Sequence, residues 1–450
     1  MKTKRIAGVL ALLLVVATLS GCTIGPWTME FYRSDEGRTE ETAPPAEVTA
    51  PAETAEPEAT PYTGEPLTPA PAGTWATTSD VTEVASGVEY AAARGLLSAV
   101  SVYCKFNRSN VVNGNGYYSF GFGNGGSGSP NEATSAGSGV IYWLDKDAGS
   151  AYIVTNYHVV FDVNSDEEDH ISRDITVFLY GSERQDMGIP AVYVGGSMYY
   201  DLAVLYVENS EILRDSSATP AVFANSDSVS AGQTAIAIGN PEAGGISVSS
   251  GVVSKDSEYI AMTAVDERTQ ISLRVIRIDT AVNSGNSGGG LYDDTGCLIG
   301  VVNAKIQDTQ VENIAYAIPS NIVRAITDNI LANCVGTETR TVQRGLLGIT
   351  VGTRESHAFY DESTRKTYIV ETVFVESVED TGAAAGKLQA DDQLLAVTVD
   401  DVTTEIRRQY DIVDAMLAAS AGSVVEIRYL RGGAEGTVTM TLTADNVTSY

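Results

Sequence analysis

Only three histidines, His158, His170 and His357, occur in the 450 residues. An imidazole is the usual general base near neutral pH, so a mechanism of that type must choose among these three. His158 follows the apolar run Ala151-Tyr152-Ile153-Val154, within Thr155-Asn156-Tyr157-His158-Val159-Val160. Asp201 opens a second such run, Leu202-Ala203-Val204-Leu205-Tyr206-Val207, and Ser287 sits inside Gly285-Asn286-Ser287-Gly288-Gly289. A serine hydroxyl becomes a nucleophile when an adjacent base takes its proton, and the oxyanion it creates needs preorganised donors. Flanking glycines permit a tight backbone and close approach of a substrate. The N–H groups of Gly285 and Ser287 are the candidate oxyanion hole. A serine among glycines is, on its own, most often a plain hairpin loop. What gives it weight is the chain order His158, Asp201, Ser287, which reads as base, orienting acid and nucleophile for acyl transfer. That order differs from those of two other hydrolase arrangements with the same chemistry, and it counts against an esterase.

These residues must be held by short strands. From about residue 85 the chain alternates strand-like runs with Gly, Asn and Asp turns, for example Ala99-Val100-Ser101-Val102-Tyr103, Gly139-Val140-Ile141-Tyr142-Trp143 and Ala235-Ile236-Ala237-Ile238. Many short strands at this spacing predict an all-β sandwich or pair of barrels. The Gly-, Ser- and Asn-dense stretch 113–139 reads as a long mobile loop, and Ile322–Ala332 as a closing helix. A composition break near Thr337–Thr341 starts a second module of about a hundred residues, a common domain size. It is predicted to contain strands at Tyr368–Glu376, Val424–Tyr429 and Thr437–Leu442, and a helix at Arg408–Ala419.

Composition narrows the setting. A formal charge of −30 argues against nucleic acid or an anionic lipid surface as a partner, since both demand basic patches. Lys2, Lys4 and Arg5 precede the apolar stretch Ile6–Leu19, a targeting layout too short to span a bilayer comfortably. The following segment, rich in Pro, Thr, Ala and Glu, cannot bury enough apolar surface to fold and reads as an extended, disordered stalk. Cys104, Cys297 and Cys334 form no metal-ligand spacing; one disulfide and three inert thiols both fit. The run Asp166-Glu167-Glu168-Asp169 and His170 read as a solvated loop rather than a metal site. No metal and no cofactor is expected.

Gly137-Ser138-Gly139-Val140-Ile141, the segments around His158 and Asp201, Ile238-Gly239-Asn240-Pro241, Gly251-Val252-Val253-Ser254, Ile278 to Gly289, and Ala315-Tyr316-Ala317-Ile318-Pro319 follow one another along the chain. Through these pieces the chain resembles the HtrA (Deg) serine proteases over residues 90–445. The resemblance implies a mostly β fold: a chymotrypsin-like double β-barrel protease domain with the catalytic residues in the cleft, plus a small α+β PDZ-like domain. It also implies unfolded or misfolded protein substrates, a homotrimer, and activation by loop rearrangement. Ser284 and Gly290 stand where the family usually has proline. By analogy Ala281 lies at the base of the specificity pocket, and Asn303, Ala304 and Lys305 pair with substrate. Leu346-Leu347-Gly348-Ile349 resembles a PDZ carboxylate-binding loop, which would take C-terminal peptides as an added strand along Tyr368–Glu376. Leu19-Ser20-Gly21-Cys22 resembles a bacterial lipobox, implying lipidation at Cys22 and a membrane anchor.

The expected organisation is a lipoprotein signal peptide at 1–21, a linker at 22–82, a trypsin-like serine protease domain at 83–336 and a PDZ-like domain at 342–446. The expected function is that of an extracytoplasmic serine endopeptidase. Its rival is a catalytically silent chaperone or PDZ scaffold that binds protein C-termini.

Overall fold

The computed structural model describes residues 86–109, 132–182, 185–304, 314–337 and 340–449. The protein is mostly β. Six strands rich in β-branched residues, β1 (Ala99–Asn107), β2 (Glu132–Asp145), β3 (Ser150–Thr155), β4 (Asp174–Leu179), β5 (Ile189–Ser197) and β6 (Leu202–Val207), close a barrel in the order β1-β2-β3-β6-β5-β4. Six more, β7 (Thr234–Gly239), β8 (Ser247–Thr263), β9 (Gln270–Ile278), β10 (Gly290–Tyr292), β11 (Leu298–Asn303) and β12 (Ala315–Pro319), close a second in the order β10-β11-β12-β9-β8-β7. Each barrel has its own interior, Val100, Ile153 and Leu205 in the first and Ile276, Leu291 and Val302 in the second. A further apolar cluster joins residues of both barrels, among them Tyr152, Ile236 and Tyr292, to the helix Ser320–Cys334 through Ile322, Ile326 and Ile330. This is the trypsin-like double barrel.

The glycine-rich stretch departs from the sequence expectation at its C-terminal end. Glu132–Gly139 is strand, not loop, and pairs along β1 from Asn107 to Val100. The small residues are needed because other segments crowd this strand. A Cβ on Gly137 would meet the Val159 side chain at 2.7 Å and the Ser287 carbonyl at 3.1 Å.

The C-terminal residues build a separate layer. β13 (Gln343–Gly345) pairs with β20 (Val447–Ser449), and β14 (Ile349–Asp361), β15 (Lys366–Val378), β16 (Gln393–Val399), β18 (Val424–Arg431) and β19 (Ala434–Thr441) form a sheet in that order, with β17 (Val402–Glu405) beside β16. The helix Gln409–Ala415 runs into a 3₁₀ turn, Met416–Ala418. Val375, Leu394, Ile412, Met416 and Ile427 share a core of their own. β14 and β19 are the two ends of this order; β15, where the sequence reading placed peptide addition, is paired along its length with β14 and again with β16 at Phe374. Cys104, Cys297 and Cys334 are free, buried thiols.

Candidate active site

β3 ends at Thr155, and the chain turns at Asn156 into a single helical turn, Tyr157–Val160, that carries His158. Asp201 sits where the chain enters β6, with a left-handed φ of 49°, a conformation aspartate tolerates better than most residues. Its carboxylate holds His158 at two atoms. Oδ1 accepts the His158 backbone N–H at 2.9 Å, and Oδ2 lies 2.7 Å from the ring Nδ1. An ionised carboxylate only accepts, so Nδ1 carries the proton and the lone pair is left on Nε2, as a general base requires. Asn303 adds a third bond, donating from Nδ2 to the same Oδ2 at 2.8 Å. Asn156 donates to the Asp201 backbone carbonyl, also at 2.8 Å. Asp201 is only 2% exposed, which makes this set of donors important: a buried charge needs partners.

Ser287 comes from the other barrel, on the turn that leads into β10. The turn is laced to the end of β11: Gly288 donates to Val302 and Val302 donates back to Gly289. The next two residues then divide their attention. Asn303 reaches Asp201, and the Ala304 N–H donates to Ser287 Oγ at 3.2 Å. The end of β11 therefore ties Ser287 and Asp201 together across the two barrels. Gly288 has a φ of 84°, and a Cβ there would fall 2.1 Å from the Ser138 carbonyl, so only glycine fits. Gly285, with a φ of 93°, likewise uses glycine's freedom. Among the described residues, neither the Gly285 nor the Ser287 N–H has a hydrogen-bond acceptor.

The remaining sequence-predicted residues are distributed unevenly. Asn303 and Ala304 are both buried against the site, Asn303 with its side chain on Asp201. Ala281 is exposed and its carbonyl accepts from the Ser249 hydroxyl. Lys305 and Cys22 lie outside the described residues. Leu346, Leu347, Gly348 and Ile349 line a cavity of about 160 Å³ together with Ile412 and Met416. The Leu346 N–H is already engaged by the Asn446 carbonyl, whereas those of Leu347 and Gly348 have no acceptor among the described residues. His170 stacks edge-on against Phe161, and neighbouring Asp169 is paired with Arg173. His357 is exposed on β14. No cluster of metal-ligating side chains occurs among the described residues.

Sequence reasoning assigned no part to Ser138, Asn156 or Asn240, each fully or almost fully buried beside the turn. The available signal was polarity: a serine or asparagine at the centre or end of an apolar run must find a partner once buried.

A family model described as "Trypsin-like peptidase domain" matches residues 137–301, a span that includes His158, Asp201 and Ser287. Barrel pair and match together define the class, a trypsin-like serine endopeptidase. The chain is 32% identical over 333 residues to the serine protease Do-like HtrA of Lactococcus lactis subsp. cremoris, covering 71% of this chain and 74% of that one. With the protein of the same name from Bacillus subtilis it shares 32% over 312 residues, 67% and 62% of the two chains. The serine endoprotease from Yersinia pestis superposes with a TM-score of 0.43 at 22% identity, over 82% of this chain and all of that one. The protein belongs to the HtrA family of Do-like serine proteases.

Proposed function

We propose that the protein cleaves unfolded or misfolded chains outside the cytoplasm by acyl transfer through Ser287, His158 and Asp201. The observation that carries this reading is the double hold of the Asp201 carboxylate on His158, linked through Asn303 and Ala304 to Ser287 Oγ. In the reaction, His158 Nε2 takes the Ser287 proton as Oγ attacks the scissile carbonyl. The oxyanion forms against the N–H groups of Gly285 and Ser287. Collapse of the intermediate breaks the peptide bond, with His158 returning the proton to the leaving amine. Water then attacks the acyl-enzyme by the same route and frees Ser287. Asp201 stays ionised throughout and stabilises the imidazolium.

The C-terminal layer, residues 342–446, acts in this proposal as a PDZ-like module. An extended peptide would add to the β14 edge with its terminal carboxylate at Leu347 and Gly348, whose N–H groups are the free ones, and its last side chain in the cavity between Ile349, Ile412 and Met416. The leader and the Cys22 lipobox would anchor the enzyme to the membrane, and the assembly would be a homotrimer.

A fluorophosphonate probe tests the core of the proposal. It should label the native chain at Ser287 and leave Ser287→Ala unlabelled; equal labelling of both, or none of the native protein, would favour the silent chaperone or scaffold. Casein cleavage with and without a hydrophobic C-terminal peptide tests the second module, and labelling with palmitate, lost in Cys22→Ser, tests the anchor.

A further inference from the structure

Ser138 lies at the centre of β2, is 1% exposed, and belongs to the first barrel, yet its hydroxyl and its backbone N–H are bonded to segments that form the floor of the site. Its hydroxyl donates to the Gly285 carbonyl at 2.7 Å and accepts the Asn240 N–H at 2.7 Å. Its backbone N–H donates to the Ser287 carbonyl at 2.8 Å, and its own carbonyl accepts from the Thr155 hydroxyl at 2.7 Å. Asn240 is itself fixed through its side chain, accepting from the Gly245 N–H and donating to the Tyr103 hydroxyl. No slack is visible in this chain of bonds.

The peptide units explain what the arrangement does. The two candidate oxyanion donors belong to the peptides 284–285 and 286–287. Between them lies the peptide 285–286, whose carbonyl is held by the Ser138 hydroxyl and whose N–H donates to the Asn283 carbonyl at 3.0 Å. With the middle peptide fixed at both ends and the Ser287 carbonyl fixed as well, the two flanking N–H groups have little rotational freedom left. Glycine at 285 imposes no conformational preference of its own, so this restraint must come from outside the turn. Oxyanion stabilisation depends on donors already in place when charge develops.

We infer that Ser138 is a positioning residue that clamps the Gly285–Ser287 turn from the first barrel and so holds the oxyanion hole in its working form. This rests on the acyl-transfer reading of Ser287 given above. The inference differs from a packing role in its kinetic signature. Loss of the hydroxyl should weaken transition-state binding and leave substrate binding alone.

The test compares the native chain with Ser138→Ala on a peptide substrate, together with two inhibitors. One is a peptide aldehyde, whose hemiacetal places an oxyanion in the hole; the other is the corresponding product peptide, which does not. Removing one oxyanion donor in other serine proteases costs on the order of 10²-fold to 10³-fold in kcat, and a loosened turn should approach the lower figure. We expect kcat to fall about 100-fold, KM to stay within about twofold, aldehyde affinity to fall in step with kcat/KM, and product affinity to be unchanged. Retention of kcat, or equal losses for aldehyde and product, would overturn the clamp while leaving the Ser287 mechanism intact. Absence of activity in the native chain would instead remove the reading on which the clamp rests. Should Ser138→Ala not fold, Ser138→Cys keeps the volume with a weaker donor. It should show the same selective loss, smaller in size, and a cysteine variant with native kcat would refute the clamp.

Discussion

The bond from Asn303 to Asp201 separates two roles for one residue. If Asn303 served the substrate through its side chain, truncation would raise KM. Its amide instead donates at 2.8 Å to Asp201 Oδ2, the same oxygen that receives His158 Nδ1, and the residue has no exposed surface. Asn303→Ala therefore removes a donor from a buried carboxylate. A hydrogen bond to a charged group is worth about 1.5–3 kcal/mol, and at about 1.4 kcal/mol per tenfold in rate the expected loss is about 10- to 100-fold. It should fall on kcat, because the carboxylate orients the base and opposes the charge His158 acquires during the reaction. Asn303→Asp is nearly isosteric and replaces the donor by an acceptor. Two carboxylates at this distance repel, so the loss should exceed that of the alanine variant.

The assay is steady-state cleavage of a fluorogenic peptide, with active sites titrated by fluorophosphonate so that kcat refers to folded enzyme. A thermal melt of each variant accounts for the lost packing. A raised KM at unchanged kcat in Asn303→Ala would refute the argument, as would an aspartate variant more active than the alanine one.

Further expectations follow from the same geometry. Asp201→Asn should lower kcat by about 10⁴-fold, the loss seen when the equivalent carboxylate of a protease triad is neutralised and the wrong histidine tautomer is favoured; single-turnover acylation measures it. Gly288→Ala forces a side chain into a φ of 84° and onto the Ser138 carbonyl, so stability should drop by about 1–3 kcal/mol from the backbone term alone, with more from the clash, as read by urea denaturation. On the C-terminal helix, burial pushes the Asp414 carboxyl up to about 7 against the opposing pull of Arg274, and burial likewise raises Asp411 to about 6. The folded form then holds protons that the unfolded chain releases near pH 4, so their contribution is complete below about pH 4 and is lost as pH rises towards 7. Subtracting the denaturation curves of Asp414→Asn from those of the native chain across pH 4–8 should isolate that slope, and a difference that grows with pH would contradict it.

Much of the architecture is legible in the sequence because local signals agree with tertiary demands. Ala99–Tyr103, Ala235–Ile238 and Val424–Tyr429 all lie within observed strands, and the helix predicted at Ile322–Ala332 is found at Ser320–Cys334. The misreadings share one cause. Gly137 looked like a loop residue because its small size is a response to neighbours distant in sequence, Val159 and Ser287. The edge of the C-terminal sheet was misplaced for a related reason. Which of two paired strands stays open depends on where β16 docks, and that is not written in either hairpin strand.

Asn303 shows why the site was less legible than the fold. In a half-exposed strand, alternation of polar and apolar residues tells which side a residue faces. Every residue of β11 is buried, so the pattern Leu298-Ile299-Gly300-Val301-Val302-Asn303 carries no facing information. The asparagine could be recognised as polar within an apolar run but not assigned to substrate or to Asp201. The same holds for Ser138 in β2, buried from Ala136 through Tyr142. Both residues sit where one barrel meets the other, and their partners come from the opposite barrel: Asp201 for Asn303, Gly285 and Ser287 for Ser138. A buried polar group in such a strand requires a partner but does not name it. Chain order and the surrounding motifs singled out His158, Asp201 and Ser287 as candidates. The groups that align them became visible only when the two barrels were brought together, because alignment of residues from two barrels is itself a property of their contact.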